Sequence, residues 1–241
     1  MKYLRSMQKI RIKVFGAGWW FYMILMFLTL GLVTYAGKDL PFERKRLYLL
    51  GISITEYLIL RLYKFALKDI RDDYNYYNEL PCYLCNQSTI LCIIGCLTLN
   101  RIFMSYCVSV GTLGALLALT MPDRYNRDQI LFSKQAFGFY GYHGLLVVTC
   151  LAFYTLGLYD PKPIDAIWPM LMTFVLACIA HLINMFLRKT GLNPISNYVF
   201  TYDPDNAIFG MLYKWWPVPL FYLIPVLPVF GLISLIAFSV M

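Results

Sequence analysis

Seven stretches of the chain are dominated by apolar residues, with short polar and basic connections between them. They fall near 18–36, 47–66, 80–99, 102–121, 138–158, 166–187 and 217–240. A helix needs about 20 apolar residues to cross a hydrocarbon core. The pattern therefore predicts an all-α integral membrane bundle of seven transmembrane helices, forming a single domain over 1–241. No long polar stretch is present from which a separate soluble domain would be built. The second stretch holds Glu56 and ends in Arg61 and Lys64. The last carries Pro219, Pro225 and Pro228, so a kink is expected there. The first follows a basic start, yet it is too long for a signal-peptide core and has no clear small-x-small cleavage site. It reads as a retained first helix.

Composition agrees with this reading. The chain is 60% hydrophobic and 14% charged, against roughly 25% charged residues in an average soluble domain. The net charge of +8 comes from basic residues clustered between apolar runs. That is a topology signal and not a nucleic-acid stripe, so no nucleic-acid partner is expected. On alternating sides of the seven segments lie fifteen and six Lys and Arg residues. The richer side includes the N-terminus, which places the N-terminus inside and the C-terminus outside. Seven cysteines occur, most of them inside apolar runs, where a thiol acts mainly as a small hydrophobe. No disulfide framework is implied.

One segment has a polar mouth. Leu80-Pro81-Cys82-Tyr83-Leu84-Cys85-Asn86-Gln87-Ser88-Thr89 runs directly into the apolar stretch 90–99. Polar groups at membrane depth are costly and are kept for packing or function. Counted from the segment starts, Cys85 and His143 each lie five residues in, about 8 Å of helical rise. Asn184 ends segment 6 on the same predicted face, and so does the connection holding Asn193, Asn197, Tyr202, Asp203 and Asp205. A thiolate is a strong nucleophile, an imidazole can take and return its proton, and an amide can orient the ring or stabilise an oxyanion. Acyl transfer to or from a lipid ester is the chemistry this set offers.

Other readings compete with it. Cys82, Cys85, Thr89, Cys92 and Cys96 follow a 3-4-3-4 spacing, which is one helix face of small side chains and suits a packing seam. Cys82 and Cys85 form a CxxC. Zinc would need two further ligands, and no second CxxC or HxxxH exists, so no metal is expected. A quinone-linked thiol oxidoreductase is a second possibility for the pair, set against its placement on the reducing side. Glu56, His143 and His181 offer a polar path for a carrier or channel. The plainer role for each histidine is a hydrogen bond between helices.

The ordered set Leu80-Pro81-x-x-Leu84-Cys85-Asn86, Pro122-Asp123, His143-Gly144, Asn184 and Asn197-Tyr198-x-Phe200 with Pro204 resembles the bacterial YwaF-type integral membrane proteins. These are related to the eukaryotic transmembrane protein 164 family of acyltransferases. The resemblance spans roughly Leu80 to Tyr222. It implies a seven-helix bundle, a Cys nucleophile at Cys85 and its His partner at His143, acting on a phospholipid or lysophospholipid without a cofactor. Asn184 is expected to support the pair. Tyr83, Asn86, Asn197 and Tyr198 are expected to bind substrate. The sequence departs from the family pattern after Pro81, where Cys82-Tyr83 stands in place of Leu-His.

Overall fold

Apolar runs broken by proline, glycine and charge set where helices start and stop. The computed structural model describes residues 11–69, 74–122, 126, 129–204 and 207–241. Asp123, Asp205 and the basic residues of the first ten positions lie outside these. A helix forms in each of the seven apolar stretches. They are α1 (Ala17–Gly37), α2 (Phe42–Ala66), α3 (Leu84–Thr98), α4 (Arg101–Thr120), α5 (Lys134–Thr155) and α6 (Ile167–Lys189), with α8 (Val226–Val240) last. An additional short helix, α7 (Ala207–Trp215), precedes the final one.

Five of these helices, α1, α4, α5, α6 and α8 with their flanking turns, are long and apolar enough to cross a membrane. The chain is a multi-pass integral membrane protein. Of the other two, α2 carries Glu43, Arg44, Lys45 and Arg46 in its first turns. α3 has 15 residues, about 22 Å of rise against a core of about 30 Å. The outward faces are apolar at helical spacing, as lipid contact requires: Ile24, Leu28 and Leu32 on α1, and Leu182 and Phe186 on α6, are all exposed.

The centre of the bundle is α5, which buries most of its residues and packs against α1, α2, α3 and α4. Gly138 makes the α2 contact possible. A Cβ there would fall 1.9 Å from Tyr63 Cδ2. Two helices are not regular throughout. α4 contains a π turn at Cys107–Gly111, and α5 contains one at Phe137–Gly141. Such turns widen the helix by one residue, change which side chains face a neighbour, and are frequent at functional sites.

Three boundaries differ from the sequence expectation. Segment 3 begins as a helix only at Leu84, because Pro81 and Cys82 lie in a turn and Tyr83 is extended. Cys85 is thus the second helical residue. α5 begins earlier than expected, at Lys134, where the Ser133 hydroxyl accepts the Ala136 N–H at 3.0 Å. His143 is therefore well inside α5, and counting from helix starts does not give the two residues equal depth. The last segment is interrupted by Pro217, Pro219 and Pro225, leaving a single turn at Phe221–Leu223 before α8.

Candidate functional site

The start of α3 meets α5 through hydroxyl groups. Thr89 Oγ1 donates to Glu56 Oε1 at 2.6 Å and lies 2.9 Å from the Tyr142 hydroxyl. With the Thr89 proton on the carboxyl oxygen, Tyr142 is the donor to Thr89. The same phenol is 3.5 Å from Asn86 Oδ1. Asn86 and Thr89 flank the turn that begins at Cys85, and the Cys85 carbonyl lies 3.3 Å from Thr89 Oγ1. Tyr142 directly precedes His143. One phenol thus joins the cysteine's first turn to the histidine's helix.

The centre is buried. Glu56 and Thr89 are both at 0% exposure, Asn86 at 4% and His143 at 9%. Glu56 Oε2, Gln87 Oε1 and the Tyr106 hydroxyl are buried atoms with no hydrogen-bond partner among the described residues. Buried polar groups are nearly always paired, so each of these atoms calls for an account beyond packing.

His143 has a defined tautomer. Its Nδ1 is 2.7 Å from the Phe139 carbonyl oxygen, inside the π turn. A carbonyl can only accept, so Nδ1 carries the proton and the Nε2 lone pair is the basic site. The ring packs against Phe139 and Tyr142, at centroid distances of 4.6 and 4.8 Å.

Asn184 has a different task from the one expected of it. Its Nδ2 donates to the Tyr198 carbonyl at 3.0 Å and to Thr201 Oγ1 at 2.9 Å. Its Oδ1 accepts from Ser196 Oγ at 2.7 Å and from the Tyr198 N–H at 2.9 Å. All four hydrogen-bonding positions of the amide serve the loop 196–201, so none remains to orient His143 or an oxyanion. His181 serves the same loop. Its Nδ1 lies 3.0 Å from Thr201 Oγ1 and its ring stacks on Tyr202 at 4.9 Å.

The loop in turn closes on the mouth of α3. The Tyr198 hydroxyl donates to the Tyr77 carbonyl and accepts the Leu80 N–H at 3.2 Å. Its ring meets Tyr83 edge-on at 4.9 Å. Burial pushes the Tyr198 phenol above its ordinary range, so it stays protonated. Asn193 Nδ2 donates to Asn78 Oδ1 at 2.6 Å. Asn197 folds back on its own turn, accepting from the Tyr202 N–H at 3.0 Å and donating to the Asp203 carbonyl at 2.8 Å. Val199 and Phe200 both have φ of 56°, a left-handed conformation costly for such side chains. The network around Asn184 holds them in it.

The expected residues fall on two pieces: Cys85 opens the turn that carries Thr89 and His143 follows Tyr142 in α5, while Asn184 holds the loop that closes on the mouth of α3. Among the substrate-binding candidates, Asn86 lies in the centre. Tyr83 is part-exposed at its rim, and Tyr198 and Asn197 are structural members of the loop. Thr89 and Tyr142 join the pieces of the centre, a role the sequence does not announce. Thr89 sits on a stripe that reads as packing, and Tyr142 is one of 20 tyrosines.

The competing arrangements separate. Cys82 is a free thiol packed with Ala177, Ala180 and Tyr198 in a small cluster of its own, while Cys85 packs against the main core. Among the described residues no hydrogen bond links the His181 network to that of Glu56.

No curated protein and no solved structure matches the chain. A family model does, and it takes in nearly the whole bundle. The TMEM164 family matches residues 12–234, from just before α1 to within α8, including the hydroxyl centre and the loop over it. The chain belongs to the TMEM164 family.

Proposed function

We propose that this protein is a seven-helix lipid acyl-transfer enzyme with its N-terminus inside. Its site opens to the cytoplasmic leaflet, where phospholipid and lysophospholipid esters lie. Cys85 is the nucleophile and His143 the base. The observation that carries the reading is the His143 tautomer: Nδ1 is committed to the Phe139 carbonyl at 2.7 Å, which makes Nε2 the proton acceptor.

His143 takes the Cys85 proton, and the thiolate attacks the ester carbonyl carbon. The ester C–O bond breaks, a thioester forms, and the imidazolium returns the proton to the departing alkoxide. A lysolipid hydroxyl then gives its proton to His143 and attacks the thioester. The new ester leaves and the thiolate regains the proton; with water as acceptor the product is a fatty acid. Asn184, through its loop, positions Tyr198 and Tyr83 at the lipid entrance.

The test is labelling of purified protein in detergent with an activated-ester acyl probe. Labelling is expected to vanish in Cys85→Ala and to slow at least tenfold in His143→Ala. Labelling that persists unchanged in Cys85→Ala overturns the assignment.

A further inference from the structure

Cys92 on α3, Cys107 in the π turn of α4 and Cys150 on α5 meet at one point in the core. Their sulfurs all lie within 4.8 Å of one another, and those of Cys92 and Cys150 are 3.6 Å apart. All three residues are at 0% exposure. Three sulfurs in a plane around one ion, with metal–sulfur bonds of about 2.3 Å, stand roughly 4 Å apart. The observed set needs only small side-chain rotations to reach that arrangement.

The backbone around the three thiols is shaped to let them converge. The π turn opens at Cys107 and closes at Gly111. A Cβ on Gly111 would lie 2.9 Å from Cys150 Sγ and 3.5 Å from Ser88 Oγ. Even alanine would crowd the sulfur there.

We propose that Cys92, Cys107 and Cys150 form a three-thiol site for a soft monovalent metal ion of the Cu(I) class. Sulfur ligands select such ions over hard cations. A structural zinc takes four protein ligands, whereas this cluster offers three among the described residues. Cu(I) accepts three-coordinate sulfur. Each sulfur that binds as a thiolate releases one proton, and the copper stays Cu(I) throughout. One thiolate, two neutral thiols and the ion are neutral overall, which suits a site with no exposed side chain. The site is separate from the mouth of α3: Cys92 lies seven residues beyond Cys85, about 10 Å along the helix. It does not depend on the proposed acyl chemistry.

The experiment is an anaerobic titration of the reduced, detergent-purified protein with Cu(I) against a Cu(I)-chelating indicator. One equivalent is expected to be retained. Cys92→Ala, Cys107→Ala and Cys150→Ala are each expected to weaken retention at least tenfold, while Cys96→Ala and Cys178→Ala leave it unchanged. X-ray absorption on the copper-loaded wild-type protein needs no variant to fold, and is expected to give three sulfur neighbours with no nitrogen or oxygen. No retained copper, retention indifferent to the three variants, or nitrogen and oxygen neighbours overturns the proposal and leaves the three thiols as packing.

Discussion

Replacing Asn184 by alanine removes four hydrogen bonds at once, and the structure says which of their partners can adapt. The Ser196 and Thr201 hydroxyls can rotate, and Thr201 keeps its contact to His181 at 3.0 Å. The Tyr198 N–H and C=O cannot turn away, and Tyr198 is only 2% exposed. A buried group left without a partner costs about 1–3 kcal/mol, so the two backbone groups together cost about 2–6 kcal/mol. The left-handed Val199 and Phe200 add strain of order 1–3 kcal/mol each, which the amide network restrains. Without that network the loop is expected to open in preference to keeping both penalties. A loss of at least about 2 kcal/mol of local stability is roughly a thirty-fold gain in opening. Hydrogen exchange read by mass spectrometry should show it in peptides covering 196–202 and not in the first half of α6. Asn184→Asp keeps the two acceptor bonds but turns an oxygen toward the Tyr198 carbonyl, so it should be no better than alanine. Unchanged exchange at 196–202 in Asn184→Ala, or exchange raised equally along the whole of α6, would refute the assignment of Asn184 to this loop.

Three further perturbations test the packing that holds the site. Thr89→Val leaves Glu56 Oε1 and the Tyr142 hydroxyl without their shared partner, and should cost about 2–5 kcal/mol; a thermal melt in detergent should show the drop, with Thr89→Ser restoring most of it. Gly138→Ala sets a methyl 1.9 Å from Tyr63 Cδ2 and should destabilise by at least about 1–3 kcal/mol of overpacking, and Tyr63→Ala should recover part of this in a double-mutant cycle. At the other end of the bundle, Asp165 accepts from Arg101 Nε at 3.3 Å, Tyr159 OH at 2.9 Å and the Lys162 N–H at 3.0 Å. Asp165→Ala should cost about 2–4 kcal/mol by chemical denaturation, and Tyr159→Phe, which removes only one donor, about 1 kcal/mol.

What could be read from the sequence follows the range of the interactions involved. Hydrophobic runs are local, so a helix formed in every predicted stretch and α1 ended within a residue of expectation. The short α7 was missed because its Trp215 and Lys214 lie between a polar loop and Pro217, where no long apolar run announces it. Helix starts at the site shifted because capping at Ser133 and the extended Tyr83 depend on local geometry that composition does not encode. The π turns are less visible still: a one-residue widening leaves hydropathy unchanged, yet it decides that Cys107 turns toward Cys92 and Cys150. Read along α3 alone, Cys92 belonged to a seam; read across three helices, it belongs to a cluster. Asn184 shows the same rule from the other side. Its partners lie 12 to 17 residues onward in a strained loop, and only the folded chain reveals that its amide is fully engaged there. The polar residues near Cys85 and His143, the pair on which the proposed acyl chemistry rests, divide into a hydroxyl centre that joins α3 to α5 and a loop that packs over the start of α3.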